Sequence, residues 1–201
     1  LADSGVAKAQ PRVLIVLVVV AVASIAIDQI AKLLVVTHLE AGEVVPVVGD
    51  LIRFHLVFNP GAAFSIGNAY TWIFSILATA VTIFIIWFSR RIRSFAWAWV
   101  FGLLLGGTIG NLIDRLFKEP GFGVGHVVDF ITIPLLPAIF NLADVSITAA
   151  MVLFLILTIR GIGLDGTKSQ PKADGDETVA ADPAETDATG TGTGTDHAGR
   201  A

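Results

Sequence analysis

A bundle of four transmembrane helices, with a small extracytoplasmic β-element in its first outer loop, is the fold class this sequence predicts. Three observations carry the prediction. Of 201 residues, 54% are hydrophobic and only 15% charged, where a soluble domain holds about 25% charged residues. Four apolar stretches are each long enough to cross a bilayer, which takes about 20 helical residues. Lysines and arginines are distributed unequally among the segments between those stretches, as in a multi-pass membrane protein.

The stretches are residues 13–36, 69–88, 95–117 and 138–162. Backbone in lipid must satisfy its own hydrogen bonds, so each is expected to be a helix. The first exceeds the roughly 7–15-residue apolar core of a signal peptide and is expected to be retained, although the chain opens on Leu1 rather than Met. Lys8 and Arg12 precede the first span, Arg90, Arg91 and Arg93 separate the second from the third, and Arg160 and Lys168 follow the fourth. The alternate segments hold little positive charge, Arg53 in one and Lys118 in the other. The positive-inside rule therefore places both termini and the middle loop in the cytoplasm and turns loops 37–68 and 118–137 outward.

The first outer loop carries its own pattern. Between 51 and 59, Ile52, Phe54, Leu56 and Phe58 alternate with Arg53, His55, Val57 and Asn59. A period of two with one apolar face predicts a strand, expected to rest that face on the membrane surface. Asn59-Pro60-Gly61 is a turn signal. Residues 1–12 are expected to be a cytoplasmic leader to a membrane domain over 13–162. Residues 163–201, rich in Gly, Thr, Asp, Ala and Pro, are expected to form a disordered cytoplasmic tail. Within the tail, residues 165–201 carry eight acidic and three basic groups, so the formal charge of −4 belongs to the tail and residues 1–164 stand at +1. That balance points to no nucleic-acid partner. The absence of cysteine excludes thiol nucleophiles, disulfides and thiolate metal sites. The four histidines have no metal-ligand spacing, and there is no nucleophile elbow or P-loop. Asp3-Ser4-Gly5 mimics a soluble aspartyl-protease motif, but on the wrong side of the membrane.

Ionisable residues in a span are functional candidates, and here they share one depth. Asp28 and Lys32 lie in the outer half of the first span, Asn111, Asp114 and Arg115 at the outer end of the third, and Asn141 and Asp144 in the first turns of the fourth; Asp129 lies in the loop just before it. Asp28 and Lys32, at i and i+4, suit a structural ion pair. Asp114 and Arg115 are adjacent, so each needs a partner on another segment. Gly102, Gly106 and Gly110 recur every four residues, a spacing that lets helices approach closely. Asp129 and Asp144 have no cation nearby in sequence. One ionised and one protonated carboxyl would form an acid–base dyad that activates water; a proton relay through a small transporter and a structural network in a non-catalytic scaffold are the alternatives.

Five segments resemble, in order and spacing, the motifs of the lipoprotein signal peptidase (signal peptidase II) family. They are Asp28-Gln29-x-x-Lys32, residues 59–64 (Asn59-Pro60-Gly61-Ala62-Ala63-Phe64), residues 106–115, residues 126–130 and residues 140–147. The resemblance implies an aspartyl endopeptidase of the bacterial inner membrane. Its substrate would be a prolipoprotein bearing a diacylglyceryl-modified cysteine, cut on the N-terminal side of that cysteine. It implies Asp129 and Asp144 as the catalytic pair, with no metal or cofactor. Asn59, Gly61, Asn111, Arg115 and Asn141 would line the site or hold the substrate, and Asp28, Lys32 and Asp114 would support it. Membrane lipid as a partner and the peptide antibiotic globomycin as an inhibitor are implied by the same resemblance.

Overall fold

The structure, a computed structural model, describes residues 10–61 and 71–168. The expectations for residues 1–9 of the leader, for residues 62–68 of the first outer loop, for residues 69–70 of the second span and for residues 169–201 of the tail fall outside the described residues; Pro11 and Arg12, assigned from sequence to the leader, belong to the first helix. Four helices are long and apolar enough to cross a membrane. They are α1 (Pro11–His38), α2 (Thr71–Ser89), α3 (Phe95–Phe117) and α4 (Leu142–Ile159). α1 opens with proline at its first helical positions, where the missing N–H has no partner to lose. Its valine-rich run is a weak helix former in water, but in lipid the helix closes its own hydrogen bonds.

α3 is the central helix, packed on α1, α4 and α2. Its glycines explain how. A Cβ on Gly102 would meet Leu17 O at 2.9 Å, and one on Gly106 would lie 2.6 Å from Ser24 Cβ and 2.8 Å from Ala21 O, so both seat α3 against α1. A Cβ on Gly107 would press on Ala143 O and Ile147, which seats the other flank against α4. Gly110 lies between Asp28 of α1 and Ala143 of α4. The obstructing atoms at Gly106 include backbone, which cannot swing aside. Gly106→Ala is therefore expected to destabilise the bundle by about 1–3 kcal/mol, despite alanine's higher helix propensity. The thermal midpoint in detergent reads this, and an unchanged midpoint would mean slack in the α1–α3 seam.

The burial pattern is that of a protein whose solvent around the bundle is lipid. Ile15, Val18 and Val22 of α1 are each more than half exposed, while Asp28 and Lys32 on the same helix are fully buried. The inner-facing apolar residues, among them Leu17, Ile85, Trp97, Phe101 and Leu157, form one cluster through the bundle. After α4 the chain turns back: Leu164 O accepts from the N–H groups of Arg93 and Ser94, and Trp97 Nε1 donates to Ile162 O. Residues 163–168, the start of the stretch assigned from sequence to a disordered tail, are thus part of this turn.

The β-structure is larger than the single element expected in the first loop. β1 (Val44–Val48) and β2 (Ile52–Asn59) come from the segment between α1 and α2; β3 (Val127–Thr132) and β4 (Ile139–Phe140) come from the segment between α3 and α4. They form one antiparallel sheet in the order β1-β2-β3-β4. β2 does not turn the whole of its apolar side outward: Leu56 and Phe54 pack with Val128 and Phe130 against Val35 and Leu39 at the end of α1, while Phe58 on that side is 43% exposed. Residues 138–140 do not begin the fourth helix either. Ile139 and Phe140 pair with β3, and α4 starts at Leu142, because Asn141 caps it.

Candidate active site

Asp129 is placed by strand periodicity. In β3, Val128 and Phe130 turn into the cluster shared with α1, and alternation sends the side chain between them to the opposite face. Val57 is its cross-strand partner, and Asn59, two residues on and therefore on the same face, donates from Nδ2 to Asp129 Oδ2 at 2.7 Å. Asn59 is fixed in turn by the Gly61 N–H, which donates to its Oδ1 at 2.8 Å. Gly61 has φ +103, and a Cβ there would lie 2.8 Å from the Phe74 ring and 3.0 Å from Arg115 Nη1, so only glycine suits this turn.

Asp144 is placed by helix capping. Asn141 is the N-cap of α4, and Asp144 is its third residue. The Asp144 N–H donates to Asn141 Oδ1 at 3.1 Å, and the Asn141 N–H donates back to Asp144 Oδ2 at 3.1 Å. This reciprocal capping box satisfies two of the helix's free donors. Because Asn141 Oδ1 is taken by a donor, its Nδ2 must face acceptors. It donates to Asp129 Oδ1 at 2.6 Å and to Asn111 Oδ1 at 3.0 Å. One buried amide therefore ties the two aspartates together across a strand and a helix.

A second layer fixes Asn111. Lys32 Nζ has donors only, and it points at Asn111 Oδ1 (3.0 Å), Asp28 Oδ2 (2.8 Å) and Asp114 Oδ2 (2.8 Å). Asn111 must then turn its Nδ2 away from Lys32, and it donates to Asp144 Oδ1 at 2.8 Å. The side chains of Lys32, Asp28 and Asp114 are completely buried. Their remaining acceptors are met from other elements. Asp28 Oδ1 accepts the Ala143 N–H, Asp114 Oδ2 accepts the Val128 N–H, and Asp114 Oδ1 accepts Lys118 Nζ at 2.9 Å. Asp28 and Lys32 do form the expected i, i+4 pair, but that pair is the hinge of a network joining α1, α3, α4 and β3.

Burial pushes the Asp129 carboxyl up to about 6; the hydrogen bond from Asn59 opposes this, the charge of Asp144 adds to it, and Asn141 and Lys32 oppose it. Arg115 lies within electrostatic range of Asp129, Asp114 and Asp144. Its guanidinium sits over the Phe74 ring at 5.3 Å, and its Nη1 has no hydrogen-bond partner among the described residues. Asp144 also borders an apolar groove of about 740 Å³ along α4, walled by Leu136, Phe140, Val145, Ala149 and Val152.

All the candidate residues of the sequence thus lie in one layer, with Asp129 on a strand rather than in a loop and Asn141 as a cap rather than inside a helix. Sequence reasoning passed over Lys118, whose i, i+4 spacing from Asp114 is the signal that finds it. It also gave Gln29 no role; that amide donates to Gly110 O at 3.0 Å and to Asp28 Oδ2 at 3.1 Å. No cluster of His, Cys, Asp and Glu suited to a metal occurs among the described residues.

The comparisons with known proteins agree with one another. Residues 20–160 match the model of the family described as Signal peptidase (SPase) II. The lipoprotein signal peptidase of Leifsonia xyli is 59% identical over 168 residues, covering 84% of this chain and 78% of that one. That of Streptomyces griseus is 46% identical, covering 78% and 79%, and that of Mycobacterium avium 43%, covering 82% and 90%. A solved structure described as a bacterial membrane enzyme determined in meso at 2.3 Å resolution superposes with a TM-score of 0.64 and 25% identity, over 78% of this chain and 94% of that one. With its matching motifs, fold and relatives, the chain belongs to the lipoprotein signal peptidase (signal peptidase II) family.

Proposed function

We propose that this protein is an aspartyl endopeptidase of the bacterial inner membrane that removes signal peptides from diacylglyceryl-modified prolipoproteins, cutting N-terminal to the lipidated cysteine. The observation that carries the reading is the Asn141 side chain, which donates to the buried Asp129 carboxylate and accepts the backbone N–H of the half-buried Asp144 at the end of the bundle. Two carboxyls placed this way divide one proton between them, so one serves as base toward water and the other as acid toward the scissile amide. No covalent intermediate or metal is required for that chemistry.

The surroundings support a lipid-bearing substrate. The apolar groove beside Asp144 runs along α4 and opens to lipid, so acyl chains or an apolar signal segment can stay in the bilayer while the peptide backbone reaches the carboxyls. Arg115, whose Nη1 lies beside Gly61 without a hydrogen-bond partner among the described residues, is positioned to donate to a substrate carbonyl. Arg115→Gln is expected to lower kcat/KM about 10–100-fold, mostly through KM; an effect confined to kcat would assign Arg115 to the chemistry instead. In this reading the arginines between α2 and α3 face the cytoplasm together with both termini, and the sheet and both aspartates lie at the outer face. Globomycin would compete for the same site.

The test is cleavage of a diacylglyceryl-modified prolipoprotein in detergent by wild type, Asp129→Asn and Asp144→Asn, with folding checked by thermal melting. Both variants are expected to fold and not to cut. Cutting at near wild-type rate by either would remove that residue from the mechanism, and failure of wild type on lipidated substrate would return the transporter and scaffold readings.

A further inference from the structure

We propose that the two aspartates are not interchangeable: Asp144 is the carboxylate that takes the proton from water, and Asp129 is the carboxylic acid that first protonates the scissile carbonyl. This assignment rests on the dyad reading above and goes beyond it, since nothing in the sequence distinguishes the two.

The distinction is geometric. Asp144 sits in the first turn of α4, where the helix end carries partial positive charge. Its Oδ2 accepts the N-cap N–H, and its Oδ1 accepts Asn111 Nδ2. That amide cannot turn round, because its oxygen receives the Lys32 ammonium. A helix end and a buried cation acting through one amide therefore both favour negative charge at Asp144. Asp129 lies on a strand, which has little dipole. Its two donors are the neutral amides of Asn59 and Asn141. The charged groups acting on the pair are Lys32 from α1 and Arg115 from α3, with Asp114 of α3 acting on Arg115; β2 contributes Asn59. Of the cations, only Lys32 is hydrogen-bonded into the amide chain; through Asn111 it meets the Asp144 carboxylate, while on Asp129 it acts only through space and as the weakest of the influences. The raised titration of Asp129, near 6, agrees with this order.

The step balances in atoms and protons. Water attacks the carbonyl carbon and gives one proton to Asp144, while Asp129 gives its proton to the carbonyl oxygen, leaving a tetrahedral diol, protonated Asp144 and ionised Asp129. On collapse the C–N bond breaks, the nitrogen takes the proton from Asp144, and a diol hydroxyl returns one to Asp129. The products are the signal-peptide carboxyl group and the free amine of the lipidated cysteine, with both aspartates restored.

The experiment is the pH dependence of kcat/KM on lipidated substrate for wild type, Asn141→Ser and Asn59→Ala. Serine retains an oxygen that caps α4 but removes the amide donor to Asp129 Oδ1; Asn59→Ala removes the donor to Oδ2 without touching the helix. Either loss holds the Asp129 proton more tightly. If Asp129 is the acid, the falling, alkaline limb moves to higher pH by about half to one unit while the rising limb stays in place. If Asp129 is the base, the rising, acid limb moves up instead, which overturns the assignment while leaving the dyad intact. Profiles that do not move, or move as a whole, overturn it as well. Failure of the dyad itself is read separately, as cutting by Asp129→Asn or Asp144→Asn. Two variants on different elements keep the measurement decisive should one fold poorly.

Discussion

Asp129→Asn and Asp144→Asn are each expected to lower turnover of lipidated prolipoprotein by about 10³-fold or more, with the thermal midpoint at or above that of wild type. The amide is the same size as the carboxyl and keeps one of its two accepted hydrogen bonds; removing a charge from the site offsets the loss of the other, so the fold loses little. What it cannot do is gain and lose a proton at neutral pH. A positioned general acid or base contributes about 10²–10⁴-fold, and in a dyad each partner needs the other. The double variant Asp129→Asn/Asp144→Asn should therefore be no slower than the slower single, because residues acting as a unit lose their contribution once. Stability should move the other way. Asp129 is only 3% exposed and is penalised both by burial and by the charge of Asp144, so neutralising it relieves unfavourable terms. A scaffold would show the reverse pattern, with melting falling and no chemistry to lose. Multiplying losses in the double variant would mean that the two carboxyls act independently, and the shared-proton mechanism would then be wrong.

The helices of this fold were legible because lipid imposes a simple rule: a run of about 20 apolar residues has one way to satisfy its backbone. α3 matches the expected 95–117, and the other helices differ at their ends, where composition no longer decides. At the fourth helix the apolar run 138–162 conceals a change of structure. Ile139 and Phe140 are as apolar as the helix after them, but they pair with β3, and only the capping chemistry of Asn141 and Asp144 marks the true start. That signal, a cap residue with a carboxylate three positions later, is readable in principle. The sheet was half legible. The alternation over 51–59 announced β2, whereas β3 reads Val-Val-Asp-Phe-Ile-Thr, mostly apolar on both faces. One of its faces packs on α1 while the other presents Asp129, so no period of two survives in its sequence. The convergence of the polar residues on one depth was visible from their places in the spans. Their connections were not. Asn111 and Asn141 show no preference in sequence for one partner, and their roles emerge only once Lys32 and the α4 cap dictate which end of each amide points where.

Lys32→Met is expected to destabilise the protein by about 3–5 kcal/mol, a larger loss than that expected of Gly106→Ala. Its ammonium has three protons and three acceptors within 3.0 Å, on Asp28, Asp114 and Asn111, and none of this charge reaches solvent. Methionine fills similar volume but leaves two fully buried carboxylates without their shared cation, the situation in which breaking a buried pair is most damaging. The loss should fall unequally. Asp114 keeps Lys118 at 2.9 Å and the Val128 N–H, whereas Asp28 keeps only the Ala143 N–H and Gln29. Adding Asp28→Asn to Lys32→Met should therefore recover part of the stability, a coupling that two independent sites would not show. Activity should fall further than the folded fraction does. Without Lys32, only the shared Asn141 Nδ2 still holds the Asn111 oxygen away from Asp144, and a rotated amide would set oxygen against carboxylate at the atom that receives the proton. Measured well below its melting temperature, folded Lys32→Met should retain substrate affinity and lose kcat. A variant that melts like wild type and cuts at the wild-type rate would show that the buried lysine neither holds the bundle together nor orients the site.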